Sequence, residues 1–134
     1  MFFVMTGRSR HEVDEALDSH PVKAFALNVS AESWARQGAT HPFGDDFRGA
    51  QDLIPQKLEE QTVLSATDVV PPSLLRETLL AGPPGDVIEQ IAVRRDHGLQ
   101  YPVIGNVSVI QPCLRRHLAA SRPFAKILRG LRKL

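Results

Sequence analysis

The stretch AGPPGDVIEQIAVRRDHGLQYPVIGNVSV, residues 81–109, decides how the fold of this chain is interpreted. It predicts a turn and then a helix opened by Asp86, whose carboxylate suits the positive end of the helix dipole. Gly98 stands at the usual left-handed cap position after the helix. An apolar stripe at helical spacing runs through Val87, Ile88, Ile91 and Ala92. The predicted strand that follows is too apolar for an antiparallel sheet with one solvent-exposed face. Its apolar residues are Val103, Ile104, Val107, Val109 and Ile110. Helix followed by buried strand is typical of a parallel, helix-covered sheet.

A second strand-and-helix unit is predicted at the beginning of the chain. The continuous apolar run Phe2–Met5 indicates a buried strand. Ser9 and Glu12 form a capping-box pattern, so we expect a helix to about Ser19, where His20 and Pro21 stop it. That helix is expected to bury Val13, Ala16 and Leu17.

The middle of the chain is predicted to be mainly helical. Residues 22–29 are ambiguous between strand and helix, and Ser30 is a good N-cap for a short helix through Trp34 to Gln37, with Gly38 as its cap. Residues 41–49, HPFGDDFRG, predict a polar loop. Two further helices are expected, one from Pro55 to Ala66 carrying Leu58, Val63 and Leu64, and one opened by Pro71 and Pro72, holding Leu74, Leu75 and Leu79 and ended by Gly82. A last helix begins at Pro112 and is expected to be interrupted near Ser121–Pro123.

Two strand-and-helix units with a helical insertion do not complete a parallel fold. An eightfold barrel takes about 250 residues, or about 30 per unit, and this chain has 134. Two strands would leave two sheet edges unpaired. We therefore expect an incomplete α/β structure, with residues 1–134 forming part of one domain, poorly stable or oligomeric unless a missing part is supplied.

The composition limits the classes of protein to which the chain can belong. Apolar residues make up 43% of the chain, which is ordinary for a globular domain. No run approaches the roughly 18 apolar residues of a membrane span, and the start, MFFVMTGRSR, is too short and too soon charged for a signal peptide. The single cysteine, Cys113, fits a reducing cytoplasm, so a cytoplasmic protein is expected.

Charge is distributed unevenly along the chain. From Leu99 onward seven Arg and Lys and no acidic residue give +7, whereas nine basic and fifteen acidic side chains give the first 98 residues −6. In the basic helical tail, residues 112–134, an apolar stripe recurs at Phe124, Ile127, Leu128 and Leu131. One interpretation is a helix that packs on the fold, with cations that suit its dipole. The other is peripheral contact of residues 122–134 with an anionic membrane; no nucleic-acid partner is expected.

Common catalytic patterns are lacking. The five histidines are scattered without paired ligand spacing, so no metal site is predicted. No nucleophile elbow supports Ser-His-Asp chemistry, and the segment Gly-Pro-Pro-Gly lacks the basic residue and amide donors of a phosphate loop. Cys113 lies at a helix start, where a thiol can be acidified, but a structural role is favoured.

The segment AGPPGDVIEQIAVRRDHGLQYPVI resembles the last helix-strand step of the bacterial luciferase-like flavin and deazaflavin oxidoreductases. The segments FVMTGRSRHEVDEALDS, VKAFALN, HPFGDDFRGAQDLIPQ and AASRPFAKILRGLRKL, in this order, are similar to the mycobacterial ketoreductase branch that acts on phthiodiolone-type lipids. The resemblance covers essentially the whole chain, but only the C-terminal third or so of such an enzyme. One departure is Pro83, which stands where the family usually has a threonine N-cap.

The resemblance implies a (β/α)8 TIM barrel that uses reduced coenzyme F-420, a deazaflavin hydride carrier, to reduce a keto group of a long-chain lipid. In such barrels the active site lies at the C-terminal ends of the strands, and the family's principal catalytic and cofactor residues come from earlier strands. No catalytic residue can therefore be carried over to this chain, and its cofactor-binding residues stay unknown.

Several polar residues would lie near the mouth of such a barrel. They are the substrate-side candidates, namely Thr6, Arg8, His41, Asp45, Asp46, Arg48 and Asn106, with Ser108 beside the last. Arg8 is a candidate anion contact, although an exposed surface arginine is the simpler interpretation. The loop 41–48 either lines a substrate or cofactor entrance or binds nothing.

Two functional hypotheses remain open at this point. The first is the C-terminal fragment of an F-420-dependent luciferase-like ketoreductase, inactive alone. The second is a small non-enzymatic protein whose basic amphipathic tail binds a membrane surface or a protein partner.

Overall fold

A computed structural model describes all residues 1–134, which fold as two compact units. The sheet unit comprises Met1–Leu17 and Leu79–Leu134, and the helical unit comprises Asp18–Thr78. The strands are β1 (Phe2–Thr6), β2 (Leu79–Gly82) and β3 (Ile104–Asn106). The helices are α1 (Arg10–Leu17), α2 (His20–Lys23), α3 (Ala31–Arg36), α4 (Glu60–Asp68), α5 (Pro72–Thr78), α6 (Pro84–Asp96) and α7 (Leu114–Leu131). Short 3-10 turns span Ala24–Asn28, Gly49–Gln51, Pro55–Lys57 and Ser108–Ile110.

The sheet unit is built on three parallel strands in the order β2-β1-β3. In the central strand, Val4 stands opposite Leu80 of β2 and Asn106 of β3. The prediction of a buried strand at the start of the chain is confirmed, since Val4 and Met5 have no exposed surface. The mixed α/β class is confirmed, but the sheet has three strands where the sequence predicted about two.

The strand order differs from that of a (β/α)8 barrel. In a barrel each strand pairs with the next strand along the chain, whereas here the connection from β2 to β3 crosses over β1, and β3 pairs with the far edge of β1. The second edge of β1 is therefore taken by β3. The sheet is open, with β2 and β3 as its edges.

The additional strand is β2, in a segment that was predicted to be the end of a helix. The helix opened by Pro72 stops at Thr78, and Leu79 and Gly82 belong to β2. Leucine and alanine have high helix propensity, which is why the sequence favours a continued helix. Pairing with β1 and burial of Leu79 and Leu80 outweigh that propensity.

The last predicted strand is much shorter than its apolar run. Only Ile104–Asn106 pairs with β1, and residues 108–110 form a 3-10 turn. Val103 is 59% exposed, and Val109 and Ile110 are also exposed. The expectation of one buried strand over residues 102–110 is therefore wrong, because pairing with β1 ends where Asn106 stands opposite Val4.

Both predicted amphipathic helices of this unit form. In α1 the hydroxyl of Ser9 accepts a hydrogen bond from the Glu12 amide at 3.2 Å, as in a capping box, and the predicted core residues Val13, Ala16 and Leu17 are buried. The helix ends at Leu17, two residues before the predicted end. In α6 Val87 and Ile91 are buried, and Gly98 follows with φ +100°.

The core of the sheet unit lies between the sheet and helices α6 and α7. Its buried members are Val4, Leu80, Val87, Ile91 and Ile127, with Phe2, Ile88, Ile104, Phe124 and Leu131 packed against them. The stripe of the basic tail thus packs onto the sheet through Phe124, Ile127 and Leu131, as the packing interpretation predicts. Leu128 is the exception and is 42% exposed.

Helix α7 runs without a break through Pro123, contrary to the predicted interruption near Ser121–Pro123. Proline removes one helical N–H donor, so the carbonyl of Ala119 lacks its usual partner one turn later. Pro123 itself is buried. Packing of this face therefore offsets the lost hydrogen bond.

The helical unit is organised around Trp34. Residues 22–29, left ambiguous by the sequence, form the end of α2 and a 3-10 turn. Ser30 caps α3 as predicted, accepting a hydrogen bond from the Ser33 amide, and Trp34 donates its indole N–H to the Ala26 carbonyl at 3.1 Å.

Two other helix boundaries in this unit differ from the prediction. Pro21 lies in the first turn of α2 and does not simply end a helix, in agreement with the tolerance for proline at that position. Pro55 opens only a 3-10 turn, and α4 begins at Glu60. Its buried residues are Ala66 and Thr67, while Leu64 is exposed.

No helix of the chain combines the length and the apolar content needed to cross a bilayer.

Candidate functional site

The carboxyl ends of the three strands lie at one edge of the sheet. Thr6 pairs with Gly82, and Asn106 is the last residue of β3, two positions before Ser108. In parallel α/β sheets this edge is where ligands bind. The structure therefore brings together two of the predicted candidates, Thr6 and Asn106, with Arg8 in the loop that follows β1.

Thr6 is buried but incompletely hydrogen-bonded. Its residue is 1% exposed, and its amide donates to the hydroxyl of Ser108 at 2.8 Å. The Thr6 Oγ1 atom is buried and has no hydrogen-bond partner. A buried hydroxyl without a partner costs about 1–3 kcal/mol, so this atom is the main uncompensated polar group at the strand ends.

Asn106 and Ser108 form a local hydrogen-bonded turn. The Asn106 Oδ1 atom accepts a hydrogen bond from the Ser108 amide at 3.0 Å, and Ser108 is completely buried. The carbonyl of Ser108 accepts from the side-chain amide of Gln111 at 2.9 Å. These contacts hold Gln111 beside the end of β1.

A cavity of about 90 Å³, here called the strand-end cavity, opens at this edge. Its polar lining comes from β1 and the start of α1 (Thr6, Arg8, Glu12) and from the turn and helix after β3 (Gln111, Arg115, Arg116). Ala119 and Ala120 of α7 complete the wall. Thr6 lies on the same face of β1 as Val4, whose side chain packs with Ile127 of α7, so the Thr6 side chain faces this helix and the cavity.

The charged groups of the cavity are unequally paired. Arg8 and Glu12 form a salt bridge with Nε–Oε1 at 2.8 Å, and Glu12 also accepts the Arg8 amide. The hydrogen bonds from the Arg8 side chain and backbone lower the pKa of Glu12. Arg116 reaches Glu15 at 2.8 Å, with both side chains more than 40% exposed. Arg115 forms no ion pair, so positive charge is in excess.

The position of Arg115 and Arg116 is electrostatically unusual. They stand in the first turn of α7, whose N-cap is Cys113, and cations are disfavoured at the positive end of a helix dipole. The backbone amides of Arg116 and Arg115 face the exposed Cys113 thiol and lower its pKa. The sequence favoured a structural role for Cys113. Because the side chain is exposed, that role is not packing in a core.

A larger open groove of about 670 Å³ adjoins the strand-end cavity, and Arg8 and Ala119 line both. Its other lining residues are Pro84, Leu118, Arg122, Pro123 and Lys126. The groove therefore combines three cations with an apolar surface.

The remaining predicted candidates belong to the helical unit. His41 is 2% exposed and stacks on Phe47 with ring centroids 4.3 Å apart, with Trp34 and Phe43 also in ring contact. Its Nδ1 accepts the Phe43 amide at 3.1 Å, and its buried Nε2 has no well-formed hydrogen bond. Burial lowers the pKa of this imidazole, and the Leu27 carbonyl opposes that shift. The geometry is that of a neutral core histidine.

The loop carboxylates next to His41 are exposed. Asp45 and Asp46 lie on the surface of the helical unit. Arg48 forms a salt bridge with Asp52, and the hydrogen bonds from the Arg48 side chain lower the Asp52 pKa. No three His, Cys, Asp or Glu side chains are grouped so that they could hold a metal ion.

Three contributors to the strand-end cavity were not predicted from the sequence as site residues, namely Gln111, Arg115 and Arg116. Gln111 carries no sequence signal. The two arginines did carry one, because an Arg-Arg pair in the first turn of a helix places cations where the dipole opposes them.

The chain is similar in sequence to mycobacterial proteins that share one name. A protein of Mycobacterium kansasii named phthiodiolone/phenolphthiodiolone dimycocerosates ketoreductase is 54% identical over 131 residues. Proteins of the same name from Mycobacterium bovis (strain BCG / Pasteur 1173P2) and Mycobacterium sp. (strain JLS) are 51% and 49% identical. In each case 98% of this chain is matched, but only 36%, 34% and 34% of the relative, respectively. The chain thus spans about a third of the length of these relatives.

No protein-family profile matches the chain. No solved structure is significantly similar to it.

Proposed function

We propose that this chain corresponds to the C-terminal third of a luciferase-like, F-420-dependent ketoreductase, and that it is inactive alone. The observation that supports the proposal is 49–54% identity over 98% of the chain to proteins named as ketoreductases of phthiodiolone dimycocerosates. The substrate in the complete enzyme is then a keto group on a long-chain lipid.

In the complete enzyme, reduced F-420 supplies the hydride, and the protein supplies binding and orientation. The fit of this chain to the cofactor is limited, because the strand-end cavity, at about 90 Å³, is too small for a deazaflavin ring system. Thr6 and Arg8 line this cavity and Asn106 ends the neighbouring strand β3, so we assign these three residues to the substrate side. The adjoining groove, lined by Leu118 and Pro84 as well as cations, offers apolar surface to a lipid chain.

A complete barrel requires a different strand pairing in this sheet. If earlier strands are supplied, one of them pairs with the edge of β1 that β3 occupies here, and β3 then pairs with β2 in chain order. The residues of the strand ends, Thr6, Gly82 and Asn106, stay at the same edge in either order.

A chimera tests the proposal. The first two thirds of the Mycobacterium kansasii relative are joined to this chain in place of the relative's matching segment, and reduction of a phthiodiolone ketone by reduced F-420 is measured. The chimera is expected to be active, and this chain alone and the truncated relative are expected to be inactive. A folded chimera without activity, beside an active intact relative, contradicts the proposal.

Cofactor binding by the chain itself is a second, independent test. Fluorescence titration of F-420 with the purified 134-residue chain is expected to show no saturable binding at high micromolar concentration. Saturable one-to-one binding would show instead that this chain assembles a cofactor site without the missing strands.

A further inference from the structure

We propose that the outer face of α7 binds the surface of a membrane that contains anionic phospholipids. This outer face consists of three exposed leucines and of the unpaired cations of α7 and of the two residues after it. They are Leu114, Leu118 and Leu128, and Arg115, Arg122, Lys126, Arg129, Arg132 and Lys133. The proposal does not rest on the ketoreductase assignment, because it uses only the exposure and the charge of these residues.

The outer face lies opposite the face that packs on the sheet. The buried residues of α7 are Ala120, Pro123 and Ile127. At about 100° per residue, the exposed leucines and cations fall on the other side of the helix. Most of the apolar stripe that the sequence offered for membrane contact is therefore occupied in the core. Contact of the folded chain with a membrane must use the opposite face.

The positive charge of the outer face is not compensated. None of its cations forms a salt bridge, and no Asp or Glu follows Leu99 in the chain. Arg116, which is paired with Glu15, does not belong to this face. A cluster of about four to eight cations on an amphipathic helix is typical of binding to anionic lipid head groups.

Apolar side chains stand among these cations. Leu114 is 70% exposed and Leu118, one turn later, is 61% exposed. Val109 and Ile110, in the turn before the helix, are also exposed, and the Val109 carbonyl accepts a hydrogen bond from Nδ1 of His117 at 2.7 Å. Apolar side chains beside cations suit the boundary between lipid head groups and acyl chains. A soluble polyanion such as a nucleic acid offers no apolar phase that the leucines could enter.

The extent of the face and the adjoining groove also fit a lipid surface. Helix α7 has 18 residues and is therefore about 27 Å long, so its cations can meet several head groups of a bilayer at once. Leu118, Arg122 and Lys126 also line the open groove of about 670 Å³. A head group or acyl chain at the outer face thus has a recess to enter.

The test is flotation of the purified full chain with lipid vesicles. The vesicles contain either phosphatidylcholine alone or phosphatidylcholine mixed with phosphatidylglycerol. The chain is expected to float with the anionic vesicles and not with the neutral ones. Raising the salt concentration from about 0.1 M to about 1 M shortens the screening length from about 10 Å to about 3 Å, so binding is expected to weaken.

Neutralisation of the outer face is the first variant. Each cation near an anionic bilayer strengthens binding about fivefold. The triple variant Arg122→Gln, Lys126→Gln and Arg129→Gln is therefore expected to bind about a hundredfold more weakly. Glutamine has a helix propensity close to that of arginine and lysine, so α7 is expected to form as before.

The matched control removes the same charge from exposed residues of the helical unit. It is the triple variant Arg36→Gln, Lys57→Gln and Arg76→Gln. Exposed salt bridges contribute little to stability, so this variant is expected to fold. It is expected to bind the anionic vesicles nearly as well as the parent chain does.

Substitution of the leucines tests their entry into the lipid. Leu114→Gln combined with Leu118→Gln leaves the charge unchanged, and both positions are exposed, so far-UV circular dichroism is expected to show the helix content of the parent. Binding to the anionic vesicles is expected to weaken about tenfold or more, because burial of one leucine side chain alone is worth that much.

Four results would overturn the proposal. The first is no flotation with the anionic vesicles, which would mean that the cations are only solvated. An equal loss of binding in the two triple variants would show that only the net charge matters. Unchanged binding of the leucine variant would show that these side chains do not enter the lipid. Complete release of the chain from the vesicles by soluble polyglutamate would identify an acidic protein as the preferred partner.

Discussion

At the scale of single residues, Gly82 is a position where both the backbone angle and the surrounding space favour glycine. It ends β2 with φ +151°, and a Cβ atom placed on it would lie 2.9 Å from the Cβ of Asp86. Asp86 in turn holds Arg10 in a salt bridge at 3.0 Å. A methyl group added at Gly82 therefore both strains the backbone and displaces the carboxylate of Asp86, which is paired with Arg10.

We expect Gly82→Ala to lower the free energy of unfolding by about 1–3 kcal/mol, the usual cost of such a backbone conformation for other residues. Urea denaturation measures the change. Gly85→Ala is the matched control, because a Cβ there meets nothing within 4 Å and φ is not positive. The Gly85→Ala control is expected to leave the free energy of unfolding unchanged or to raise it by up to about 1 kcal/mol. If Gly82→Ala proves as stable as Gly85→Ala, the result contradicts the structure.

His41 is the residue whose burial gives a pH dependence. Its folded-state pKa is below the ordinary value of 6.5 because of burial. Above pH 6.5 the imidazole is neutral in both states. As the pH falls below 6.5 the unfolded chain takes up a proton that the folded chain resists, so stability is lost down to the folded-state pKa.

The corresponding experiment is urea denaturation at pH 7.5 and pH 5.5. The parent chain is expected to lose stability over this interval, and His41→Phe, which keeps the ring stack on Phe47, is expected to lose less. His11→Gln is the control, since His11 is 83% exposed in its side chain and stands outside the core. Equal losses in the parent and in His41→Phe would show that another group carries the pH dependence.

At the scale of elements, α6 lacks a side-chain cap at its start. Pro83 is the N-cap residue with extended backbone (φ −56°, ψ 161°) and makes no side-chain hydrogen bond. Its carbonyl accepts the first helical bond from Val87 at 3.2 Å. The backbone is therefore already in the geometry that a threonine cap requires.

Comparison of Pro83→Thr with Pro83→Ala isolates the cap. Both variants lose the proline ring and its restriction of the unfolded chain, but only threonine provides a hydroxyl acceptor. Threonine is expected to exceed alanine in unfolding free energy by about 0.5–2 kcal/mol, measured by thermal or urea denaturation. If the two variants melt alike, the hydroxyl does not reach the amides of the first turn.

At the scale of the whole molecule, the sheet of three strands leaves β2 and β3 as open edges. Open edges of parallel strands are templates for pairing with another chain. We expect the purified chain to have low unfolding free energy or to associate as its concentration rises. Light scattering after size exclusion, with thermal denaturation at several concentrations, tests this; a monomer with a sharp, concentration-independent two-state transition would contradict it.

The sequence by itself determined the mixed α/β class, the strand at Phe2–Met5, the helix after Asp86 and the packing face of α7, because these follow from local apolar periodicity and capping chemistry. It also placed Thr6 and Asn106 at strand ends. The tertiary structure alone decided that Leu79–Gly82 is a strand, that β3 is short and pairs with β1, and that Arg115 and Gln111 line one cavity with Thr6. Strand pairing and cavity formation join residues about 100 positions apart, and their energies outweigh the local propensities that a sequence pattern records.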